Sequence, residues 1–149
     1  MKIPSENLAA MADVKAAVNI PVVTGEALYS RTAFREVLER RAADILNPDI
    51  CNCGGILEIT AIAAMAEPFY VGVSPHGWNS TAVGCAAAVQ ASAVMPNFLI
   101  YEYMLLAEEF SNDICIRRPR AEGGYIELPV DPGLGIEIND SVLEKDPAI

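Results

Sequence analysis

Four ionisable residues recur along the chain at nearly equal spacing: Glu26, Asp49, His76 and Glu102, separated by 23, 27 and 26 residues. His76 is the single histidine of the chain, and a histidine side chain can both accept and donate a proton near neutral pH. Asp49 could orient the His76 ring and stabilise the imidazolium. Glu26 is a hard oxygen ligand suited to Mg²⁺, and Glu102 could hydrogen-bond a substrate oxygen or bind a cation. These residue types indicate proton transfer beside a bound cation.

Each of the four residues follows a short apolar segment that is predicted to be a strand. The segments are residues 20–23, 44–47, 70–73 and 98–101, and the first of them is expected to be a buried strand. Helical patterns separate them, so the spacing predicts right-handed βαβ units and a parallel sheet. In a β/α barrel the carboxyl ends of the strands converge on one mouth, where catalysis takes place. One acid after one strand is ordinary surface chemistry, whereas four ionisable groups at the same point of four units predict a site.

The predicted helices carry apolar stripes at the helical period. The first is expected to follow an N-cap at Ser5 and the second an N-cap at Ser30. The third is expected to open after Gly55 and the fourth after Ser80. The residues expected on the buried faces of the first three helices are Leu8, Met11, Ala12, Val18, Phe34, Val37, Leu38, Ile56, Ile59, Ile62, Ala63 and Ala66.

Composition limits the class of protein. A chain of 149 residues holds one domain or less, and 52% hydrophobic residues exclude a disordered chain. The net charge of −10 argues against nucleic acid or an anionic membrane surface as a partner. The chain has neither a signal-peptide pattern nor an apolar run near the roughly 20 residues of a membrane span, so we expect a cytoplasmic protein with reduced thiols. Cys51-Asn52-Cys53 lacks a second Cys/His pair at zinc spacing.

Five motifs, in this order, resemble the mandelate racemase branch of the enolase superfamily, and within it the galactonate dehydratase-like sugar-acid dehydratases. They are Ile20-Pro21-Val22-Val23-Thr24-Gly25-Glu26, Asn47-Pro48-Asp49, Gly54-Gly55-Ile56, Ser74-Pro75-His76 and Pro96-Asn97-Phe98-Leu99-Ile100-Tyr101-Glu102-Tyr103. The resemblance covers nearly the whole chain. It implies an α/β fold, namely the C-terminal half (strands five to eight) of an enolase-type, TIM-like β/α barrel with an irregular C-terminal tail. Residues 1–103 would form the partial barrel, and residues 104–149 would form a tail of turns and short extended pieces that packs on it.

The resemblance also implies a role for each site residue. Glu26 matches the third Mg²⁺ ligand, with the other two protein ligands outside this chain. Asp49 and His76 match the dyad whose histidine abstracts the proton alpha to the substrate carboxylate. Glu102 matches the acid that contacts that carboxylate as the enediolate forms, and Trp78 could line the substrate pocket. The implied reaction is the Mg²⁺-dependent removal of water from an aldonic acid, which gives a 2-keto-3-deoxy acid.

Four strands cannot close a barrel of eight, so the sequence predicts an incomplete molecule. The open edges should pair with the N-terminal half of the same enzyme or with a second copy of the chain. Three alternatives remain open. The chain could be half of an active dehydratase, an inactive fragment that persists as a self-associating domain, or an open-sheet, flavodoxin-like binding module. A flavodoxin-like module would require a phosphate-binding Gly-rich turn after its first strand, and Thr24-Gly25-Glu26 is not such a turn.

Overall fold

The computed structural model describes residues 7–78 and 80–144. Ser5, the predicted cap of the first helix, and residues 145–149 of the tail lie outside these ranges. Within them the α-helices are α1 (Leu8–Ala17), α2 (Ser30–Glu39), α3 (Ile50–Cys53), α4 (Ile56–Ala66), α5 (Ala82–Ser92), α6 (Glu108–Ile114) and α7 (Asp140–Leu143). The strands are β1 (Val23–Thr24), β2 (Ile45–Leu46), β3 (Gly72–Val73), β4 (Cys115–Arg117), β5 (Ala121–Glu122), β6 (Tyr125–Ile126) and β7 (Glu137–Ile138). Single 3₁₀ turns occupy Glu67–Phe69 and Leu105–Ala107.

Strands β1, β2 and β3 form one parallel sheet in sequence order, with helices between them. The predicted fourth strand is only an extended segment at the edge of this sheet. A single parallel bridge joins Val73 of β3 to Phe98, and the N–H of Leu99 donates to the carbonyl of Val73 at 2.9 Å. The four segments therefore lie side by side in chain order, as consecutive βα units require.

The two faces of this sheet differ in burial. Leu46 and Val73, which pair in register, are fully buried in one core cluster with residues of α2, α4 and α5. Val23 and Ile45 pair in register on the opposite face, where Val23 is 49% exposed. The predicted burial of residues 20–23 is therefore wrong. Within residues 7–78 and 80–144 the helices cover only one face, so the other keeps apolar side chains in contact with water.

The predicted helical stripes are largely confirmed. Those on α2 and α4 are buried at Phe34, Val37, Leu38, Ile59, Ile62, Ala63 and Ala66, and those on α1 at Leu8 and Met11. Ile56 is exposed because it is the first residue of α4. Val18 is also exposed, since α1 has already ended and the backbone there is extended.

Both predicted caps differ from those in the structure. The N-cap of α1 is Asn7, whose side-chain oxygen accepts a hydrogen bond from the N–H of Ala10 at 3.0 Å. Ser30 is the first residue of α2, so it is inside the helix, and Tyr29 is the N-cap without a side-chain bond. At this end of α2, Arg31 donates through its backbone N–H and its guanidinium to both carboxylate oxygens of Glu58 on α4.

The tail contains more regular structure than its Gly and Pro content predicts. Strands β5 and β6 form an antiparallel hairpin, and β4 pairs with β7, which agrees with short extended pieces. The helix α6 was not predicted, because seven residues are too few to show a clear helical period. The buried Arg118 donates to the hydroxyl of Tyr103, and Gln90 donates to the carbonyl of Pro129, so the tail contacts the barrel part.

No helix within the described residues is long and apolar enough to cross a lipid bilayer.

Candidate functional site

The ends of the parallel segments bring Glu26, Asp49, His76 and Glu102 together around one imidazole ring. The Nδ1 atom of His76 lies 2.8 Å from Oδ2 of Asp49. Its Nε2 atom lies 3.5 Å from Oε2 of Glu26 and 3.6 Å from Oε2 of Glu102. The sequence predicted this convergence from spacing alone, and the three carboxylates do lie within contact distance of the histidine.

Asp49 is held so firmly that it can orient the histidine. It is fully buried and is the N-cap of α3, where its Oδ1 accepts a hydrogen bond from the N–H of Cys51 at 2.7 Å. Its other oxygen accepts from Nδ1 of His76. Because a carboxylate only accepts hydrogen bonds, Nδ1 is the atom that carries the proton when the ring is neutral, and Nε2 then keeps its lone pair. That lone pair is on the side of the ring where Glu26 and Glu102 lie.

The carboxylates of Glu26 and Glu102 are half-exposed, with side-chain exposures of 52% and 50%. The backbone carbonyl of Glu26 accepts from the side-chain amide of Asn52 on α3 at 3.3 Å. Oε2 of Glu102 accepts from the backbone N–H of Gly77 at 3.3 Å. The half-exposed carboxylates of Glu26 and Glu102 could therefore both be reached by a ligand.

Backbone contacts beneath the site align the strand ends. Gly25, with a φ of 143°, packs against the backbone of Asn47, where an added Cβ would lie only 2.9 Å from main-chain atoms. The side chain of Asn47 donates to the carbonyl of Ser74 at 2.5 Å. The ends of β1, β2 and β3 are thus joined immediately before Glu26, Asp49 and His76.

Trp78, the predicted substrate-pocket residue, lies in a turn two residues after His76. Its side chain is 61% exposed, which leaves the indole open to a ligand or to another chain. Its role in substrate binding stays a prediction.

The donor set fits one magnesium ligand but not a whole site. Among residues 7–78 and 80–144, no group of three or more His, Cys, Asp or Glu side chains could hold a metal ion. The half-exposed carboxylate of Glu26 has the hard oxygen donors that Mg²⁺ prefers. Burial raises the pKa of Cys53 from 9.0 to about 11, so this thiol stays protonated at neutral pH. Glu26 could therefore contribute to a metal centre completed by groups from elsewhere.

Sequence reasoning missed the groups that hold the predicted residues in place. The N–H of Gly77 and the amide of Asn52 belong to this set, as does the short helix α3 that Asp49 caps. A cap signal was available, since Asp49 directly precedes the helix. Nothing in the residue types indicates that a backbone N–H at Gly77 would reach Glu102.

The chain is similar to known proteins in sequence and in fold. Residues 3–142 match the family described as Enolase C-terminal domain-like. The D-galactarolactone cycloisomerase of Agrobacterium fabrum is 38% identical over 94% of this chain, and the match spans 39% of that protein. The D-galactonate dehydratase of Variovorax paradoxus is 37% identical over 84% of this chain, which corresponds to 34% of its own length.

A solved structure has the same fold. An enolase from environmental sequencing of the Sargasso Sea superposes with a TM-score of 0.91 at 32% identity, over 96% of this chain and 38% of its own. The chain therefore spans less than two fifths of the length of the relatives and the structure that it matches. The predicted fold, one half of a β/α barrel, is confirmed by this partial coverage together with the parallel sheet.

Proposed function

The chain belongs to the Enolase C-terminal domain-like family of the enolase superfamily, and we propose that it provides the proton-transfer half of the active site of a sugar-acid dehydratase. The observation that carries this proposal is the orientation of His76. Its Nδ1 is bound to Asp49, while its Nε2 lies between the half-exposed carboxylates of Glu26 and Glu102. A base with this orientation can accept a proton from a substrate bound over those carboxylates.

In the proposed reaction, Nε2 of His76 accepts the proton from the carbon alpha to the substrate carboxylate. The electron pair of that C–H bond moves into the carboxylate and forms an enediolate. When this electron pair returns from the enediolate, it expels the hydroxyl from the neighbouring carbon. The hydroxyl leaves as water after protonation by an acid outside this chain. The resulting enol tautomerises to a 2-keto-3-deoxy acid. Asp49 stabilises the imidazolium that His76 becomes, and Glu102 contacts the substrate carboxylate as its charge develops.

Magnesium belongs to this proposal as a shared cofactor. Glu26 would be one ligand, and two further protein ligands would come from outside the chain, because one carboxylate is a poor site for this ion. When bound, Mg²⁺ would supply positive charge that attracts the anionic substrate and stabilises the enediolate. The positive charge of Mg²⁺ would also offset, near the substrate, the repulsion between a sugar acid and a chain of net charge −10.

The partner that we propose is the N-terminal half of the same kind of enzyme. The sheet has an uncovered face with Val23 half-exposed, and the segment at its far edge includes Leu99, which is 55% exposed. The relatives are more than twice as long as this chain, and their additional length would include the missing strands. The alternative is an inactive fragment that only folds and self-associates.

The test is an assay with Mg²⁺ against a panel of aldonic acids, reading the formation of 2-keto-3-deoxy acid. The chain is assayed alone and after co-expression with the N-terminal part of the Variovorax paradoxus D-galactonate dehydratase, ending where the match to this chain begins. We expect turnover in the combined protein and its loss in His76→Ala. Turnover that survives in His76→Ala would refute the role of the histidine, and no turnover in any combination would favour the inactive fragment.

A second candidate is cycloisomerisation of a sugar-acid lactone, which the 38% identity to a D-galactarolactone cycloisomerase favours. Product analysis by mass spectrometry separates the two reactions. A dehydratase product has lost one water relative to the substrate, whereas an isomerase product has the mass of the substrate. A lactone panel run beside the aldonic acids distinguishes them in one experiment.

A further inference from the structure

Glu102 is held by three successive residues of the loop after β3. Its backbone N–H donates to the carbonyl of Pro75 at 3.1 Å. Its Oε2 accepts from the N–H of Gly77 at 3.3 Å and lies 3.6 Å from Nε2 of His76. A half-exposed glutamate without such contacts would sample several rotamers in water. The loop therefore fixes one carboxylate oxygen beside the reactive ring nitrogen.

Gly77 approaches Glu102 so closely that no side chain fits between them. A Cβ added to Gly77 would collide with the carbonyl oxygen of Glu102, and it would lie 3.2 Å from the hydroxyl of Tyr101. The φ of Gly77, in contrast to that of Gly25, is not positive. The backbone conformation would thus accept any residue, and it is the contact with Glu102 that requires glycine.

Tyr101 limits the ways in which this contact could relax. Its hydroxyl lies on a second side of Gly77, and burial raises the pKa of Tyr101, so the hydroxyl stays neutral. A side chain at position 77 would have to displace either the backbone of Glu102 or the ring of Tyr101. Because Tyr101 packs against the main hydrophobic core, moving the Glu102 backbone is the easier response.

We propose that Gly77 is a positioning residue: its N–H and its missing side chain together hold the carboxylate of Glu102 against His76. Any effect on turnover rests on the proposed function, whereas the contact itself does not. The experiment therefore has one arm that needs no activity and one that does.

The first arm measures amide hydrogen exchange by NMR in the chain labelled with ¹⁵N-glycine, which contains ten glycines. The signal of Gly77 is identified by its absence in Gly77→Ala. In Glu102→Ala we expect the Gly77 amide to exchange about threefold to tenfold faster, as the loss of one hydrogen bond implies. The Gly123 amide, in the β5–β6 turn, is the internal reference. An unchanged exchange rate at Gly77 would overturn the proposal.

The second arm compares kinetics in the combined protein described above. A displacement of about 1 Å at a reacting group can cost about a hundredfold in rate. We therefore expect Gly77→Ala to lower kcat by about tenfold to a hundredfold with a smaller change in KM. The control is Gly123→Ala in the β5–β6 turn, where φ is positive but an added Cβ meets nothing within 4 Å, and its kcat should be unchanged. An unchanged kcat in Gly77→Ala also overturns the proposal. If the unsubstituted protein shows no turnover, the proposed function fails, and the exchange measurement alone tests the contact.

Discussion

Asp49 and His76 are joined twice, by a parallel bridge between their backbones and by the 2.8 Å contact between Oδ2 and Nδ1. The backbone pairing places the two side chains on neighbouring strand ends. The cap of α3 then holds the remaining carboxylate oxygen. The ring can therefore neither rotate nor change tautomer without breaking a buried hydrogen bond.

Asp49→Asn should change the tautomer of His76 while leaving the fold intact. An amide can donate to Nδ1 as well as accept, so the ring proton can move to Nε2 and block the base. With one histidine in the chain, ¹⁵N NMR of histidine-labelled protein reads the tautomer without ambiguity. In the combined protein we expect activity to fall by about 10³- to 10⁴-fold.

Asp131→Asn is the matched control, since Asp131 pairs with Arg117 in the tail and is exposed. It should leave both the tautomer and the activity unchanged. A ring that stays protonated at Nδ1 in Asp49→Asn would show that the carboxylate does not set the tautomer.

The convergence of the site could be predicted from sequence, whereas its fine geometry could not. The nearly equal spacing of Glu26, Asp49, His76 and Glu102 indicates consecutive βα units. The carboxyl ends of parallel strands then place these four residues at one edge of the sheet. The contact of Gly77 with Glu102 depends instead on how two loops approach each other, which no local pattern encodes. The fourth strand was overestimated because an apolar run does not show how many ladder hydrogen bonds the segment makes, and here a single bridge joins it to β3.

Gly25→Ala should destabilise the chain by about 1–3 kcal/mol or more. The positive φ strains the backbone of an alanine, and the added Cβ also collides with the backbone of Asn47. The control is Gly123→Ala, which also has a positive φ (58°) but has open space around the added methyl group. Urea unfolding monitored by circular dichroism gives both free energies. Equal losses in the two variants would mean that the close approach beneath Glu26 adds nothing.

Cys53 should resist thiol reagents that modify Cys51. Burial raises the pKa of Cys51 as well as that of Cys53, which reaches about 11, but the side chain of Cys53 is buried whereas Cys51 is exposed. At pH 8 the Cys53 thiolate is therefore scarce, and the thiolate is the reactive form. Iodoacetamide labelling followed by peptide mass spectrometry should find Cys51 modified first. Comparable labelling of both residues in folded protein would contradict the burial of Cys53.

The raised pKa of Cys53 also predicts a loss of stability at alkaline pH. In the unfolded chain Cys53 loses its proton near pH 9, but in the folded chain it does so only near pH 11. Between these values the unfolded state binds fewer protons, so the free energy of unfolding decreases as pH rises. Urea midpoints at pH 8 and pH 10 should show the decrease, and Cys53→Ala should reduce it. A pH dependence that is identical in the variant would exclude this contribution.

The uncovered face of the sheet should make the isolated chain self-associate. A Cβ at Gly72 would meet the side chain of Leu99, so the Leu99 side chain lies on the same face of the sheet as Gly72 and Ile45. In the part of the chain that the structure describes, this face and the two sheet edges lack the neighbours that a closed barrel would supply. Light scattering at micromolar concentration should give twice the monomer mass or more, and Leu99→Lys should shift the population toward monomer. Leu106→Lys, at a residue that is 84% exposed in the tail, should not. A monodisperse monomer for the unsubstituted chain would mean that the half-barrel tolerates its open face, and the need for a partner would then rest on catalysis alone.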